Sequence, residues 1–216
     1  MNERRDGYAS PPCAAHEVGD DAGRPLDDVK AWRRAERERL IKVRREIGRD
    51  ERRALDARIA GGLNALLGEP SGRIISVYWP VRGEPDLREW YDDVAARGAR
   101  LALPVVVEPG RPLVFRAWTP GDTLIPGTFN IPVPRPGPEL VPGIVLSPVV
   151  GYDAACHRLG NGGGYYDRTL AALAERPLVV GVGYTRCELR TIYPQAFDIA
   201  MDHIVTEAGI VPSPGH

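Results

Sequence analysis

Cysteine is scarce in this 216-residue chain, and the three present, Cys13, Cys156 and Cys187, are widely spaced and odd in number. Such usage builds no disulfide framework and suits a reducing cytoplasm. Long apolar runs are missing too, since none approaches the roughly twenty residues a membrane span needs. The first residues carry charge with no apolar stretch behind it, so no secretory signal is expected there. Net charge is almost absent, at −1, which argues against a general nucleic-acid binder but leaves room for a local basic face. Four histidines form no metal-binding pattern, and no internal repeat or low-complexity tract is found. What remains is ordinary globular composition, 43% hydrophobic and 26% charged, at a length that fits one domain with a real core.

Glycine, in contrast, is concentrated. The stretch Arg158-Leu159-Gly160-Asn161-Gly162-Gly163-Gly164-Tyr165-Tyr166-Asp167-Arg168 follows an apolar run, Ile144 to Val150, and leads into Thr169-Leu170-Ala171-Ala172-Leu173-Ala174. That order predicts strand, glycine-rich turn and helix. Such a loop lets a ligand approach the backbone closely and aims the unpaired N–H groups of a helix start at one point. Phosphate is the usual ligand for that geometry. Neither common phosphate pattern is present, because no Gly-Lys-Ser/Thr follows and the spacing is not G-x-G-x-x-G. A mobile surface turn is the plainer reading of a glycine cluster. The cation, phenols and carboxylate packed around it favour a binding loop.

Residues 1–26 are polar, rich in Gly, Pro and Asp, and without periodicity, so they read as an extension that is disordered or lies on the surface. Cys13 and His16 have a spacing a metal could use, yet a second ligand pair is missing and an ordinary tail is the better reading. From Asp27 to Ile47 the pattern is helical, with Val29, Trp32, Leu40, Val43 and Ile47 near one face, Asp27 as a cap and Gly48 as the close. Asp50 opens a second helix with Leu55, Ile59, Leu63 and Leu66 inward. Between Lys30 and Arg53 there are eleven Lys/Arg against five Asp/Glu. A solvated face is the usual meaning of such a run. A phosphate-bearing partner is the sharper one, since Lys30 and Arg34 lie four apart on one helix face.

Arg73 to Trp79 reads as a buried strand ended by Pro80, followed by the turn Val81 to Pro85, a helix capped by Asp86, and a strand over Leu101 to Val107. Continuous apolar strands joined through a helix indicate a parallel sheet, whose ligands bind at the C-terminal strand ends, where Glu84 sits. Leu113 to Trp118 is a shorter strand expected to pair antiparallel. The proline-rich connection Thr119 to Pro142 is read as a structured loop that crosses the surface and closes over a site. Leu178 to Tyr184 and His203 to Thr206 are the last strands.

In this order the chain resembles the 5-formyltetrahydrofolate cyclo-ligase family, also called methenyltetrahydrofolate synthetases. The resemblance rests on the basic helix with Lys30 and Arg34, the turn Trp79 to Glu84, Asn130-Ile131-Pro132-Val133-Pro134, Asp153 to Arg168, and Asp198 to Glu207. It spans about Asp27 to Gly209, within one domain over 27–212. It implies a three-layer α/β fold, a mostly parallel central sheet with helices on both faces and an N-terminal helical pair. It also implies ATP- and Mg2+-dependent closure of 5-formyltetrahydrofolate to 5,10-methenyltetrahydrofolate. By resemblance, Lys30, Arg34, Arg158, Leu159, Gly160, Asn161, Gly162, Gly163, Gly164, Tyr165 and Tyr166 hold ATP. Trp79, Glu84, Asn161 and Tyr165 contact the folate, and Asp167 with Asp198 binds magnesium. The expected partners are small molecules, reduced folate and ATP, with no nucleic acid and no membrane, and the expected state is a cytoplasmic monomer.

Three positions depart from the family's pattern. Asn161 stands where relatives often carry a larger aromatic or basic side chain, Cys156 stands where glycine is usual, and Gly163 leaves the loop without a lysine. A relative that binds nucleotide but acts on another substrate is therefore a second reading. A nucleic-acid-binding module using the basic helices is a third; it predicts aromatics among the cations, and only Trp32 is there.

Overall fold

The structure is a computed structural model and describes residues 25–214. The polar extension, with Cys13 and His16, lies outside the described residues apart from its last two positions. Helix α1 (Leu26–Arg45) opens with Pro25 at its N-cap. Asp27 sits inside the first turn, where it complements the positive dipole end instead of capping it. Gly48 does not close α1 but begins α2 (Arg49–Leu67) as its N-cap, with Asp50 in the first turn. Strand β1 (Ile74–Ser76), α3 (Arg88–Ala96) and β2 (Arg100–Val105) form the expected βαβ unit. β3 (Val114–Trp118) pairs antiparallel with β2, and β4 (Leu124–Pro126) with β5 (Pro132–Pro134) makes a separate hairpin. β6 (Ile144–Pro148) precedes the short hairpin β7 (Gly151–Tyr152) and β8 (Arg158–Leu159), then α4 (Tyr165–Ala172). β9 (Leu178–Val182), β10 (His203–Thr206) and β11 (Gly209–Pro212) complete the chain, β11 being a strand the sequence reading did not anticipate.

The seven-stranded sheet runs β11-β10-β9-β6-β1-β2-β3, with the five inner strands parallel and an antiparallel strand at each edge. Alternation sorts its side chains onto two faces. Ile75, Leu101, Leu103, Ile144, Leu146, Val180, Val182 and Val205 pack with Leu40, Leu55, Ile59, Leu63, Trp90 and Val94 of α1 to α3. Val179 and Ile204, with Met201, meet Leu170 of α4 on the other face. Those two layers of helix around one sheet are the three-layer α/β arrangement. Gly61 and Gly62 do not break α2; a Cβ at Gly62 would lie 2.9 Å from Val205 Cγ1, so glycine there lets helix and sheet approach closely. No described helix is long and apolar enough to cross a membrane.

Among the polar groups buried in these layers is a carboxylate. Asp56 of α2 is 7% exposed and accepts the Tyr184 hydroxyl at 2.7 Å. Burial pushes its carboxyl up to about 6, against an ordinary 3.8. A carboxyl raised in the folded state keeps its proton there longer than in the unfolded chain. Its contribution to stability is therefore fully present below about pH 4 and lost as pH rises through 6. Asp56→Asn keeps an acceptor for Tyr184 and is expected to raise stability at pH 8 by about 1–2 kcal/mol, fading at acid pH. Thermal melts of both proteins from pH 4 to 8 check this.

Candidate active site

The crossover from β1 runs through α3 to β2, while that from β6 runs through α4 to β9, so neighbouring strands send their connections apart. Open sheets bind ligands at such a switch point, beyond the carboxyl ends of the strands. A cleft of about 820 Å³ lies there, within the range of roughly 300–1,000 Å³ common to small-molecule sites. Its walls come from α1, the turn after β1, the β4–β5 hairpin, the loop between β8 and α4, and residues 196–199.

The glycine-rich loop forms as the sequence predicts. Gly164, at φ +62°, is the N-cap of α4 and offers no side chain to the helix's first N–H groups. Gly162, at φ +97°, turns the chain beneath α1. Arg37 Nε donates to Gly160 O at 2.8 Å, and Arg168 donates to Gly163 O while lying 5.1 Å from the Tyr165 ring centroid. Open helical N–H groups and several guanidinium groups thus converge on one end of the cleft, an arrangement built for an anion.

The expected pair of α1 cations is present, but three residues along. Lys30 and Arg34 are exposed, pair with Asp27 and Glu38, and do not line the cleft. Arg33 and Arg37 do. The register follows from the buried stripe. Val29, Leu40 and Ile47 are buried, and steps of three and four between them pass through 33, 37 and 44, all arginines. A search for apolar residues skips those positions; following the spacing would have found them. Arg33 donates Nε to Ile192 O at 2.9 Å and Nη2 to Tyr193 O at 2.8 Å, and it pairs with Asp198 at 2.5 Å. Arg37 has no carboxylate partner among the described residues, and its pKa is lowered, first by burial and then by the charge of Arg33. A half-buried cation in that state is improved by an incoming anion.

Three carboxylates line the cleft, and each already meets an arginine. Arg158, 4% exposed at its side chain, donates Nη2 to Asp167 Oδ1 at 2.5 Å, and the Ile199 N–H reaches the same oxygen at 3.1 Å. Asp167 Oδ2 accepts nothing from the described residues, so it fits a hard cation that brings most of its own oxygen shell. Asp198 fits less well. Both its oxygens accept from Arg33, and Oδ2 also takes the Gln195 N–H at 2.7 Å. Its observed place is as the clamp that fixes Arg33. No group of three or more His, Cys, Asp or Glu side chains is gathered for a metal among the described residues. Glu84, 3% exposed, accepts from Val81 N–H at 3.0 Å and from Asn161 Nδ2 at 3.3 Å, beside Arg44 at 3.5 Å.

The aromatic residues expected at the site are there. Trp79 stands half-buried on the wall, edge-on to Trp118, with Arg88 5.4 Å from its centroid. Tyr165 faces Phe129 at 6.3 Å, edge to face. Tyr166 and Leu159 line the inner end, with Arg158 5.7 Å from the Tyr166 ring. The proline-rich connection supplies the β4–β5 hairpin, whose tip holds Phe129 and Asn130 at positive φ. Phe129 is 69% exposed beside the cleft, a conformation and an exposure that cost energy and often mark function. Cys156 occupies a glycine-like turn at φ +60°; burial, helped by Asp153, pushes its thiol up to about 11, which leaves it a poor nucleophile.

The family model described as 5-formyltetrahydrofolate cyclo-ligase matches residues 29–207. A 5-formyltetrahydrofolate cyclo-ligase of Mycolicibacterium smegmatis is 32% identical over 182 residues, 80% of this chain and 92% of that protein. One of Escherichia coli K12 is 28% identical over 145 residues, 63% of this chain and 79% of its own. The 5,10-methenyltetrahydrofolate synthetase of Aquifex aeolicus superposes with a TM-score of 0.72 at 28% identity, covering 84% of this chain and 93% of that one. A Mycoplasma pneumoniae 5,10-methenyltetrahydrofolate synthetase, at 24% identity and a TM-score of 0.64, covers 81% of this chain and 98% of that one and speaks to the fold.

Proposed function

The chain belongs to the 5-formyltetrahydrofolate cyclo-ligase family, a family of ligases, and from that premise we propose that it closes 5-formyltetrahydrofolate to 5,10-methenyltetrahydrofolate with ATP and Mg2+. The difficulty of that reaction is an amide-like formyl group whose oxygen leaves poorly. Transfer of the γ-phosphoryl group to the formyl oxygen releases ADP and creates an iminium phosphate. The neighbouring folate nitrogen then attacks the formyl carbon and gives up its proton to the leaving phosphate, which departs with the oxygen. Little of this needs protein bonds, so positioning and charge neutralisation carry the catalysis.

The observation that carries the reading is Arg37, a half-buried cation with no ion-paired carboxylate among the described residues, set against a glycine loop and an uncapped helix start. Arg33, Arg37 and the N–H groups at Gly164 to Tyr166 would take the triphosphate. Trp79 and Tyr165 offer flat faces to the pterin and aminobenzoyl rings, and Glu84 offers acceptors to the pterin N–H donors. Asp167 would hold Mg2+, whose charge would offset that developing on the transferred group. Against the nucleic-acid reading, four outward cations of α1, Lys30, Arg34, Arg39 and Lys42, each pair with an acid of the same helix or its C-cap.

The test is absorbance in the methenyl-folate band after mixing protein with 5-formyltetrahydrofolate, with and without Mg-ATP. A rise that requires ATP is expected. No rise, with ATP still bound, would make a different substrate the working reading.

A further inference from the structure

Arg44 lies outside the cleft lining, yet it is buried to 1% and spends its whole guanidinium on the cleft's supports. Nε donates to Arg82 O at 2.8 Å, in the turn after β1. Nη1 donates to Val149 O at 3.2 Å, just after β6. Nη2 faces Glu84 Oε1 at 3.5 Å. One side chain therefore ties together the two connections that diverge at the switch point, and it stands behind the one acid of the folate wall. The turn it holds is unusual, with Arg82 at φ +50° and Gly83 at +78°. A Cβ at Gly83 would sit 3.3 Å from Arg44 O, so α1 presses directly on the turn. Arg52 locks the same junction from α2, donating to Arg44 O at 2.6 Å and to Gly83 O at 2.8 Å.

We propose that Arg44 is a positioning residue for the folate: it holds Glu84 aimed into the cleft as an ionised acceptor for the N–H donors of the pterin. This rests on the function proposed above. The groups facing Glu84 are Arg44 from α1, Tyr78 beyond β1, Tyr91 of α3, Tyr166 of α4 and the amide of Asn161. Burial holds all three phenols above their ordinary range, so they remain neutral and Arg44 is the charged partner. Burial pushes the Glu84 carboxyl up, and Arg44 is the leading influence in the other direction. Without that cation the carboxyl takes up a proton at higher pH, and a protonated Glu84 offers one fewer acceptor. Asn161 then gains a purpose for its small size, because its amide reaches Glu84 Oε1 from the loop side.

The experiment compares wild type, Arg44→Met, Arg44→Lys and Glu84→Gln by steady-state kinetics from pH 6 to 9, with thermal melts of each. For Arg44→Met the KM for 5-formyltetrahydrofolate is expected to rise about tenfold or more at pH 7 and to fall back toward wild type by pH 9. The KM for ATP stays within about threefold, since Arg44 touches neither the glycine loop nor Arg37. Arg44→Lys restores part of the loss, and Glu84→Gln raises the folate KM at every pH. A folate KM in Arg44→Met that tracks wild type across pH overturns the proposal, as does an equal rise in both KM values. If Arg44→Met does not fold, Arg44→Gln, which also removes the charge but keeps hydrogen-bonding groups, takes its place under the same pH criterion. A wild type that forms no methenyl product overturns the function and this inference together; an active wild type with a pH-indifferent variant overturns the inference alone.

Discussion

Replacing Asp167 by alanine is expected to lower kcat/KM for cyclisation by about 10²–10³-fold, the range seen when a preorganised electrostatic group is removed. Three things go at once. The free oxygen Oδ2 disappears from the phosphate end of the cleft, the Ile199 N–H loses its acceptor, and Arg158 becomes a buried cation without its carboxylate. Stranding one partner of a buried pair typically costs about 3–5 kcal/mol, so part of that loss would be structural. Asp167→Asn separates the effects. It can keep Oδ1 as an acceptor for Arg158 and Ile199 while giving up the charge a divalent cation needs. The expected result is a melt close to wild type, a reduced rate, and a Mg2+ requirement shifted to higher concentration. Initial rates against Mg2+ at saturating ATP measure it, and an unshifted requirement would reduce Asp167 to a clamp for Arg158.

The second large effect concerns α1. Arg33→Ala and Arg37→Ala are each expected to raise the KM for ATP about 10–100-fold, as befits loss of a charge-assisted hydrogen bond to phosphate. Lys30→Ala with Arg34→Ala should change it by less than about threefold, because exposed ion pairs contribute little. The two cleft arginines should differ in a second respect. Arg33 fixes residues 192–198 through four hydrogen bonds, so its loss also loosens the wall that carries Phe197. Among the described residues Arg37 makes a single hydrogen bond, to Gly160 O, so its variant should bind ATP poorly while melting like wild type. Titration of ATP against each variant, beside its melt, decides. Strong loss in the Lys30/Arg34 double variant would mean that the helix binds nucleotide with its outer face.

The glycine loop, the turn from Trp79 to Glu84 and the parallel strands were legible because their signals are local: φ-permissive residues, a proline stop, unbroken apolar runs. The antiparallel pairing of Val114–Trp118 was legible as well. The register of α1 was not. Cations occur on every side of that helix, and its buried stripe runs through Arg33 and Arg44, so hydrophobicity supplied too few points to fix the phase. The pairing of Asp198 with Arg33 was hidden for a related reason. An acid near a phosphate site looks like a metal ligand until its partner is known, and that partner lies 165 residues earlier. Cys156 behaved as a sequence reading can foresee, taking the left-handed turn that glycine usually fills.

The clamp on Arg33 also bears on how the protein is made. α1 is made well before the carbonyls and carboxylate that hold Arg33, which belong to residues 192–198. At about 5–20 residues per second, the ribosome needs on the order of ten seconds or more to reach them. Until then the helix leaves the channel with its cleft-facing arginine untethered, while the strands of the βαβ unit can already pair. The cleft wall that fixes Arg33 is therefore complete only once residue 198 has been made. A premature stop before residue 198 would leave much of the sheet able to form and the binding site unfinished.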